Sequence, residues 1–293
     1  MEGRFTSIAE VLADLQKKAS HMSKSSEKPK QPDEHGEDHE CPICKDTELV
    51  IKRDERGYEF ASFCDCRERK AWKRRFKQAL IPDEFVHANF ENFKRATQYQ
   101  QSMYDMTLEY MNEFKKDGGE KVIAKHNLGF IAVVGEQRLR ELPPHERAPM
   151  KQKHNNFGVG KTHLQIALTK RLIKDGFNVL VVSDVTFMDE LSQAKRMNDE
   201  GETLNRLLQS AIDADVLVWD DIGKAKWSET KEGLYYQIIN ERYRKQKPIV
   251  FNSNEDRGTL SEKIGYAAAS RLLGQCGPYL LEVEGEDFRL KGA

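Results

Sequence analysis

One stretch, residues 157–162, constrains the fold of this chain more than any other: it reads Phe-Gly-Val-Gly-Lys-Thr and leads directly into a helical pattern. Gly158 and Gly160 allow a tight turn that brings backbone N–H groups close to phosphate oxygens. Lys161 offers a point charge to the β- and γ-phosphates, and the Thr162 hydroxyl can hold Mg²⁺. The helix then presents its positive N-terminal end to the same anion. The stretch therefore predicts a phosphate-binding loop for a nucleoside triphosphate such as ATP.

This loop departs from the usual pattern at its start. Asn155 stands where the first glycine is expected, six places before the lysine, whereas an apolar strand at 130–134 ends at Gly135. We interpret the polar residues 136–154 as an insertion within the loop, so that Gly135 is the first glycine of the motif. The alternative is a chance glycine-rich turn before a helix. The predicted nucleotide ligands in this region are Gly135, Asn156, Phe157, Gly158, Val159, Gly160, Lys161, Thr162 and His163.

Two carboxylates follow an apolar strand at 216–219, about 55 residues after the loop, which is the place where open α/β sheets bind ligands. Asp220 is expected to hold Mg²⁺ together with Thr162, and also counts among the nucleotide ligands. Asp221 is placed to orient or deprotonate the water that attacks the γ-phosphate. The alternative is an acidic turn after a buried strand.

Short apolar strands alternate with helical patterns from about residue 84 onwards, which predicts an α/β fold with a parallel sheet flanked by helices. The predicted strands are 130–134, 178–182, 216–219 and 248–252, and the predicted helices are 162–175, 185–196, 202–213 and 229–246.

Three polar residues near the end of the chain are further candidates. Asn254 follows the strand 248–252 and could sense the γ-phosphate; we favour it over Asn252. Arg271 and Arg289 are suited to stabilise charge on a transferring phosphoryl group, although such arginines more often form ion pairs.

Four of the five cysteines form two close pairs, Cys41 with Cys44 and Cys64 with Cys66. A predicted hairpin between the pairs would bring them together. Four thiolates suit a tetrahedral Zn²⁺ and close its coordination shell, which favours a structural site over a catalytic one. The alternatives are a redox-active or simply buried set of cysteines, or His39 as a substitute ligand.

The region around the cysteines predicts a chain of distinct segments. Apolar residues at helical spacing in 1–18 predict an amphipathic helix that docks on this protein or on a partner. Residues 19–39 are polar and predict a flexible linker. We expect a zinc-binding, partner-binding domain at 40–83 and a nucleotide-binding domain at 84–293. The basic stretch 67–77 either tracks a nucleic-acid backbone or forms a solvated helix.

Composition limits the class of protein. The chain has 293 residues, of which 38% are hydrophobic and 32% charged, and a formal net charge of −1 that gives no global attraction to nucleic acid. No apolar run approaches the ~18 residues of a membrane span, and the N-terminus shows no signal-peptide core. Clustered cysteines of this kind indicate a reducing compartment. We therefore expect a cytoplasmic protein without a membrane partner.

The motifs, in this order, resemble those of the bacterial helicase loaders of the DnaC and DnaI family, which share an AAA+ ATPase core with the transposition helper IstB. The matching motifs lie at 157–164, 216–223, 227–229, 252–254, 270–272 and 286–289, preceded by 81–85 and 90–93. The resemblance covers about 84–290 and implies an AAA+ P-loop ATPase with a small DnaI-like zinc-binding domain before it. The insertion at 136–154 departs from the family pattern.

The resemblance also implies roles and partners. Arg271 would act as an arginine finger towards a neighbouring subunit, and Arg289 would be a second sensor on the subunit's own nucleotide. The N-terminal domain would grip a DnaB-type replicative helicase, the core would engage single-stranded DNA, and the protein would self-associate into an oligomer or spiral. On this basis we expect an ATP-dependent loader of the replicative helicase. The alternatives are an IstB-like transposition helper and a zinc-dependent DNA-binding adaptor that binds ATP without turnover.

Overall fold

The computed structural model describes residues 39, 41–64, 66–67, 70, 79–117 and 120–289. The chain divides into two compact units, Met1–Cys64 and Asp65–Ala293. The predicted helix 1–18, the predicted linker up to residue 38 and most of the basic stretch 67–77 lie outside the described residues. Among the described residues, no helix combines the length and the apolar character needed to cross a membrane.

The first unit contains the hairpin that the sequence predicts between the cysteine pairs. Strands β1 (Leu49–Arg53) and β2 (Glu59–Phe63) pair antiparallel, with Leu49 opposite Phe63. The turn between them needs a left-handed backbone at Gly57, where φ is 84°. The hairpin returns the chain to the start of β1, so that the two ends that carry cysteines lie side by side.

The second unit is built on a five-stranded sheet in the order β6-β7-β8-β5-β9, in which every neighbouring pair is parallel. Its strands are β5 (Leu128–Ala132), β6 (Val179–Ser183), β7 (Val216–Asp220), β8 (Ile249–Asn252) and β9 (Leu280–Val283). The central strands are almost wholly apolar and buried because helices cover both faces of the sheet. A small separate hairpin, β3 (Lys115–Asp117) with β4 (Glu120–Val122), precedes β5.

Helices surround this sheet. They are α1 (Gln98–Met111), α2 (Glu136–Glu141), α3 (Pro144–Lys153), α4 (Lys161–Lys174), α5 (Asp184–Ala194), α6 (Glu202–Asp213), α7 (Glu229–Arg244), α8 (Arg257–Ile264) and α9 (Tyr266–Gly274). One apolar core joins the sheet to α1 and α4, and the other joins it to α5 through α9. The predicted α/β class with a parallel sheet flanked by helices is confirmed.

The sequence-predicted helices and strands agree with the observed ones to within two residues at each end. The sequence did not predict α1, α8, α9, β9 or the β3–β4 hairpin. The insertion at 136–154 consists of two short helices, α2 and α3, and α3 begins with Pro144 at its first position, where a missing N–H costs nothing. No residue of α3 is buried.

Candidate nucleotide site

A cavity of about 610 Å³ lies where β7 and β8 end and α4 begins, at the carboxyl edge of the parallel sheet. Most of the predicted site residues line it. They are Asn156, Phe157, Gly158, Val159, Gly160, Lys161, Thr162, His163, Asp220, Asp221, Asn254 and Arg289. Gly135 and Arg271 are the two predicted nucleotide-site residues that do not line it.

The loop glycines are required by close approach as well as by backbone shape. Gly158 has φ 64° and Gly160 has φ 103°, both in the left-handed region. A Cβ atom on Gly158 would lie 1.7 Å from Asp287 Oδ1, and one on Gly160 would lie 2.6 Å from the ring of Phe93. The phosphate loop thus packs against Asp287 at Gly158 and against Phe93 at Gly160.

Lys161 is a buried cation whose described partners are all neutral oxygens. Its Nζ donates to Asn254 Oδ1 at 2.8 Å, to the Asn156 main-chain oxygen at 3.1 Å and to the Ser253 oxygen at 3.2 Å. Burial lowers the pKa of Lys161 to about 8, against the opposing attraction of Asp221 and Asp220. An anion bound in this cavity would complete the charge balance of the ammonium group.

Thr162 and Asp220, the predicted magnesium ligands, are in direct contact: the threonine hydroxyl donates to Asp220 Oδ1 at 2.7 Å. Asn252 Nδ2 donates to the same carboxylate oxygen at 2.7 Å, and Asn252 Oδ1 accepts from the amide of Asp221 at 2.9 Å. Asn252 therefore orients both acidic residues, a role that the sequence did not reveal. A hydroxyl and a carboxylate at this spacing are suitable oxygen ligands for Mg²⁺.

Asp221 lies beside this pair in a left-handed conformation, with φ 59°. Its Oδ1 accepts a hydrogen bond from Asn254 Nδ2. Burial, followed by the adjacent Asp220 carboxylate, raises the pKa of Asp221 above its ordinary value. The prediction that Asn254 lies at the site thus agrees with the geometry, because its side chain joins Lys161 to Asp221.

Gly135 does not line the cavity and packs elsewhere. Its amide donates to Asp256 Oδ2 at 2.9 Å, and a Cβ atom there would lie 2.3 Å from Thr259 Oγ1. Gly135 thus packs against the start of α8, and its role as the first glycine at the nucleotide stays a prediction. Asn155 occupies the corresponding place in the loop, and its Nδ2 donates to Phe157 O and Gly285 O.

The insertion is fixed to the site at both of its ends. At its start, the amides of Glu136 and Gln137 donate to Asn254 O at 2.9 Å and to Glu255 Oε2 at 3.0 Å. At its end, His154 Nδ1 lies 2.8 Å from Glu284 Oε2. The insertion therefore spans from the loop that carries Asn254 to the segment that leads to Arg289.

Arg289 and Arg271 occupy different places. Arg289 lines the cavity, and its positive charge is among the influences that lower the pKa of Lys161. The guanidinium of Arg271 lies 5.2 Å from the centre of the Tyr236 ring, and its Nη1 donates to Ala267 O at 2.9 Å. Arg271 thus lies outside the cavity of its own chain.

Part of the cavity is lined by a segment for which the sequence analysis assigned no role in the site. It includes Glu84, Phe85, Asn92, Phe93 and Lys94. The His163 side chain contacts this segment: its Nε2 lies 2.8 Å from Asn89 O, and its ring centre lies 5.4 Å from that of Phe93. The only signal in the sequence was the pair of short motifs at 81–85 and 90–93, because the segment has no periodic pattern.

The four clustered cysteines form a second candidate site. Their ligand atoms all lie within 4.8 Å of one another, all four residues are buried, and none is in a disulfide. Cys41 Sγ and Cys64 Sγ are 3.8 Å apart, which agrees with the separation of about 3.8 Å expected for tetrahedral Zn–S bonds of about 2.3 Å. His39 is not in this cluster; its Nδ1 lies 3.8 Å from Asp46 Oδ2.

The cavity fits a nucleotide by two independent features. The Nδ2 group of Asn156 is fully buried at the loop and has no hydrogen-bond partner among the described residues. Lys161 is buried without a carboxylate ion pair among those residues. A phosphate group would provide both the missing acceptor and the missing negative charge.

Comparison with known proteins shows what this chain is similar to. Residues 155–293, slightly less than half of the chain, match the model of the IstB-like ATP-binding proteins. The chain is 33% identical over 137 residues to the insertion sequence IS21 putative ATP-binding protein of Pseudomonas aeruginosa. The matched region is 46% of this chain and 50% of that protein. The chain is 23% identical over 208 residues to the replicative helicase loader DnaC of Escherichia coli K12, covering 70% and 72%.

The crystal structure of the DnaC helicase loader is similar in fold over 69% of this chain and 100% of that one, with a TM-score of 0.51 at 19% identity. This likeness agrees with the predicted fold class, a parallel sheet flanked by helices. The chain spans about half the length of the IS21 relative that it matches.

Proposed function

We propose that this chain is an ATP-hydrolysing loader of a replicative DnaB-type helicase onto single-stranded DNA, acting in replication initiation or restart. One observation carries the ATP-hydrolysing part of the proposal: Lys161, Asn254 and Asp221 form a continuous hydrogen-bonded chain in the same cavity as the Thr162–Asp220 pair. The loader part is supported by the similarity to the helicase loader DnaC. This arrangement offers a cation for phosphates, oxygen ligands for a metal ion and a carboxylate for the attacking water.

Nucleotide binding would depend on the loop and on Lys161. The ammonium group, now held by neutral oxygens, would pair with the β- and γ-phosphates, while the helix α4 presents its positive end to them. Thr162 and Asp220 would hold Mg²⁺, which neutralises charge on the phosphates when it is bound. Arg289 would contact the nucleotide from the C-terminal segment.

Hydrolysis would depend on Asp221. Its carboxylate is fixed by Asn254 Nδ2 and its backbone by Asn252 Oδ1, so the group is held in one orientation. Burial and the adjacent Asp220 carboxylate raise its pKa, which makes it a better proton acceptor than an ordinary aspartate. Asp221 would orient the attacking water and accept its proton, and Asn254 would report the state of the γ-phosphate to the loop that follows β8.

Arg271 would complete the site of a neighbouring subunit. It lies outside its own cavity, stacked on Tyr236, so it is available to a second copy of the chain. We expect isolated monomers to hydrolyse ATP slowly and an assembled oligomer to hydrolyse it faster. Arg271→Ala should lose the stimulated rate under assembled conditions, whereas Arg244→Ala, an exposed arginine on α7, should not. Wild-type turnover by Arg271→Ala would refute the trans role.

The loader role is tested by co-purification of the full chain with a replicative helicase in the presence of ATP or ADP. We expect a complex whose stability differs between the two nucleotides, because hydrolysis would release the subunit interfaces. If no complex formed with ATP and none formed with ADP, the loader role would be contradicted. Single-stranded DNA should raise the ATPase rate in the same preparation.

A transposition helper is the second candidate. It is favoured by the match of residues 155–293 to IstB-like proteins and by the 33% identity to the IS21 protein. In that case the full chain would co-purify with a recombinase instead of a helicase, while its ATP site would work in the same way.

A third candidate is a zinc-dependent DNA-binding adaptor that binds ATP without turnover. This candidate is favoured by the insertion of α2 and α3 between β5 and the loop, which departs from the usual phosphate-loop pattern. Steady-state phosphate release, measured with and without single-stranded DNA, decides between them. Turnover that disappears in Asp221→Asn would exclude the adaptor.

The four-cysteine cluster would hold one structural Zn²⁺. Its buried sulfur atoms, at a separation suited to tetrahedral coordination, support this assignment. The metal would hold the ends of the β1–β2 hairpin together in a unit too small to be stabilised by its own apolar core. That unit would then contact the partner protein.

A further inference from the structure

A buried carboxylate outside the nucleotide cavity, Asp184, makes contacts that the proposed mechanism has not used. Asp184 is the first residue of α5, directly after β6, and its side chain is 0% exposed. Its oxygens accept hydrogen bonds from the Trp219 indole at 2.9 Å, from the Tyr235 hydroxyl at 2.7 Å and from the backbone amide of Ala225 at 2.7 Å. No basic side chain of the described residues forms an ion pair with it.

The partners of Asp184 belong to the elements that carry the acidic residues of the site. Trp219 immediately precedes Asp220 on β7, and Ala225 ends the turn that begins at Asp221. Inside that turn, the amide of Lys224 donates to Asp221 O at 3.1 Å. Asp184, which follows β6, therefore binds the far end of this turn from the β6 side of β7.

The near end of the same turn is held by Asn252. Its Oδ1 accepts from the amide of Asp221 at 2.9 Å, and its main-chain oxygen accepts from the amide of Ile222 at 2.9 Å. The turn is thus fixed at both ends by buried side chains or backbone of neighbouring elements. Two of its residues have left-handed backbones, Asp221 with φ 59° and Gly223 with φ 84°. For a non-glycine residue this conformation is costly, so it persists only where the surroundings determine it.

We propose that Asp184 is a positioning residue for hydrolysis: by holding the amide of Ala225, its carboxylate keeps the turn after β7 in the conformation that places Asp221 beside Asn254. The inference rests on the proposed ATPase function. It assigns to Asp184 an effect on turnover and none on nucleotide binding, because Lys161 and Thr162 belong to a different element and the Asp220 carboxylate is held separately by Thr162 and Asn252.

An amide in place of the carboxylate cannot satisfy the same partners. The indole N–H of Trp219 and the backbone N–H of Ala225 are obligate donors, and they meet different oxygens of Asp184. The side chain introduced by Asp184→Asn would supply one acceptor oxygen and one NH₂ group, so one of the two donors would face another donor. The hydroxyl of Tyr235, in contrast, can rotate and act as an acceptor. Tyr235→Phe therefore removes a bond to Asp184 but leaves the bond to Ala225 intact, which makes it the matched control.

The experiment compares wild type, Asp184→Asn, Asp184→Ser and Tyr235→Phe as full chains. Circular dichroism and cooperative thermal unfolding establish which variants are folded, and all assays are run well below each unfolding transition. For each variant we would measure the dissociation constant of Mg²⁺ with a non-hydrolysable ATP analogue, and then the kcat and KM of ATP hydrolysis. Lys161→Ala, measured alongside, tests the proposed function by itself.

We expect Asp184→Asn and Asp184→Ser to lose about tenfold to a hundredfold in kcat, because Asp221 would be displaced from its position at the reaction. The affinity for the ATP analogue should not change. Tyr235→Phe should stay close to wild type in both quantities. Unchanged kcat in a folded Asp184 variant, or an equal loss of affinity and kcat, would overturn the proposal. Failure of both Asp184 variants to fold would also overturn it, since the carboxylate would then be a condition of the fold. If wild type does not hydrolyse ATP, or hydrolyses it no faster than Lys161→Ala does, it is the proposed ATPase function that has failed.

Discussion

Asn254 Oδ1 accepts a 2.8 Å hydrogen bond from Lys161 Nζ, so the side chain after β8 is bound directly to the buried cation of the phosphate loop. The other end of the same amide donates to Asp221. A single amide thus connects the group that would bind phosphate with the group that would act on water. The main chain of the same residue contacts the insertion, because the Asn254 main-chain oxygen accepts a hydrogen bond from the amide of Glu136.

The first prediction concerns this amide. Asn254→Ala should lower kcat for ATP hydrolysis by about tenfold or more, because Asp221 loses the donor that fixes its orientation. Binding of ATP should change little, since Lys161 keeps its other oxygen partners. Steady-state kinetics and calorimetry on the same preparation separate the two effects. Asn205→Ala, on the exposed face of α6, is the control; a variant of Asn254 with wild-type kcat would contradict the role of the bridge.

The second prediction concerns the loop glycine at 158. Gly158→Ala should weaken ATP binding, because its new methyl group would meet Asp287 Oδ1 at 1.7 Å and force the segment that carries Arg289 away from the cavity. The positive φ adds strain for any residue with a side chain. Gly233→Ala is the matched control: it lies inside α7 with nothing within 4 Å, and should stabilise the protein by about 0.5–1 kcal/mol. Equal affinities in the two variants would count against the geometry of the loop.

The third prediction is a dependence of stability on pH that Asp184 causes. Burial raises the pKa of its carboxyl from 3.8 to about 6. The folded protein therefore binds this proton more tightly than the unfolded chain. Its contribution to stability is full below the ordinary pKa and is lost as the pH rises through 6. A pKa difference of this size between the folded and unfolded states corresponds to about 3 kcal/mol.

Urea unfolding of wild type and Asp184→Asn at a series of pH values between about 4 and 7.5 checks this prediction. The difference in unfolding free energy between the two proteins should change across this range, with wild type losing about 3 kcal/mol relative to the variant as the pH rises. The comparison cancels the titration of all other groups. A difference that stays constant with pH would show that Asp184 titrates normally.

The fourth prediction concerns zinc. Purified protein should contain about one equivalent of zinc per chain, because four thiolates complete the shell of one ion. Cys64→Ser should lower the zinc content and destabilise the first unit, whereas Cys276→Ser should leave the zinc content unchanged. Cys276 is a buried cysteine far from the cluster in sequence, with its Sγ directed to Leu272 O. Metal analysis showing no zinc in the wild-type protein would remove the proposed metal site.

Much of the fold could be predicted because the relevant signals are local. The strand patterns at 178–182 and 216–219 are continuous apolar runs, which in a protein of this kind only a sheet covered on both faces can bury. Lys161, Thr162, Asp220 and Asp221 lie at the ends of such elements, and parallel topology then brings the ends to one edge. These residues were found because their place in the sequence determines their place in the fold.

The parts that escaped prediction depend on contacts between distant residues. Gly135 has the sequence position of a phosphate-loop glycine, yet its amide donates to Asp256, 121 positions away, and a Cβ atom there would meet Thr259 Oγ1. Asp184 was not singled out in the sequence, because its role emerges only from the contacts that Trp219 and Tyr235 make with it in the fold. The segment that contains Phe93 has no periodicity, because its side chains fill a gap beside the loop instead of forming an element.

Calorimetric titration with Mg²⁺ and ATP is the most direct test of the central claim, that Lys161 and the loop around it bind a magnesium-bound triphosphate. Wild type should show saturable binding at one site per chain. Lys161→Ala should bind at least about tenfold more weakly, since a charged hydrogen bond worth about 1.5–3 kcal/mol is lost. Lys174→Ala, exposed at the far end of the same helix, should bind as wild type does. No heat from wild type, or unchanged affinity in Lys161→Ala, would contradict the account.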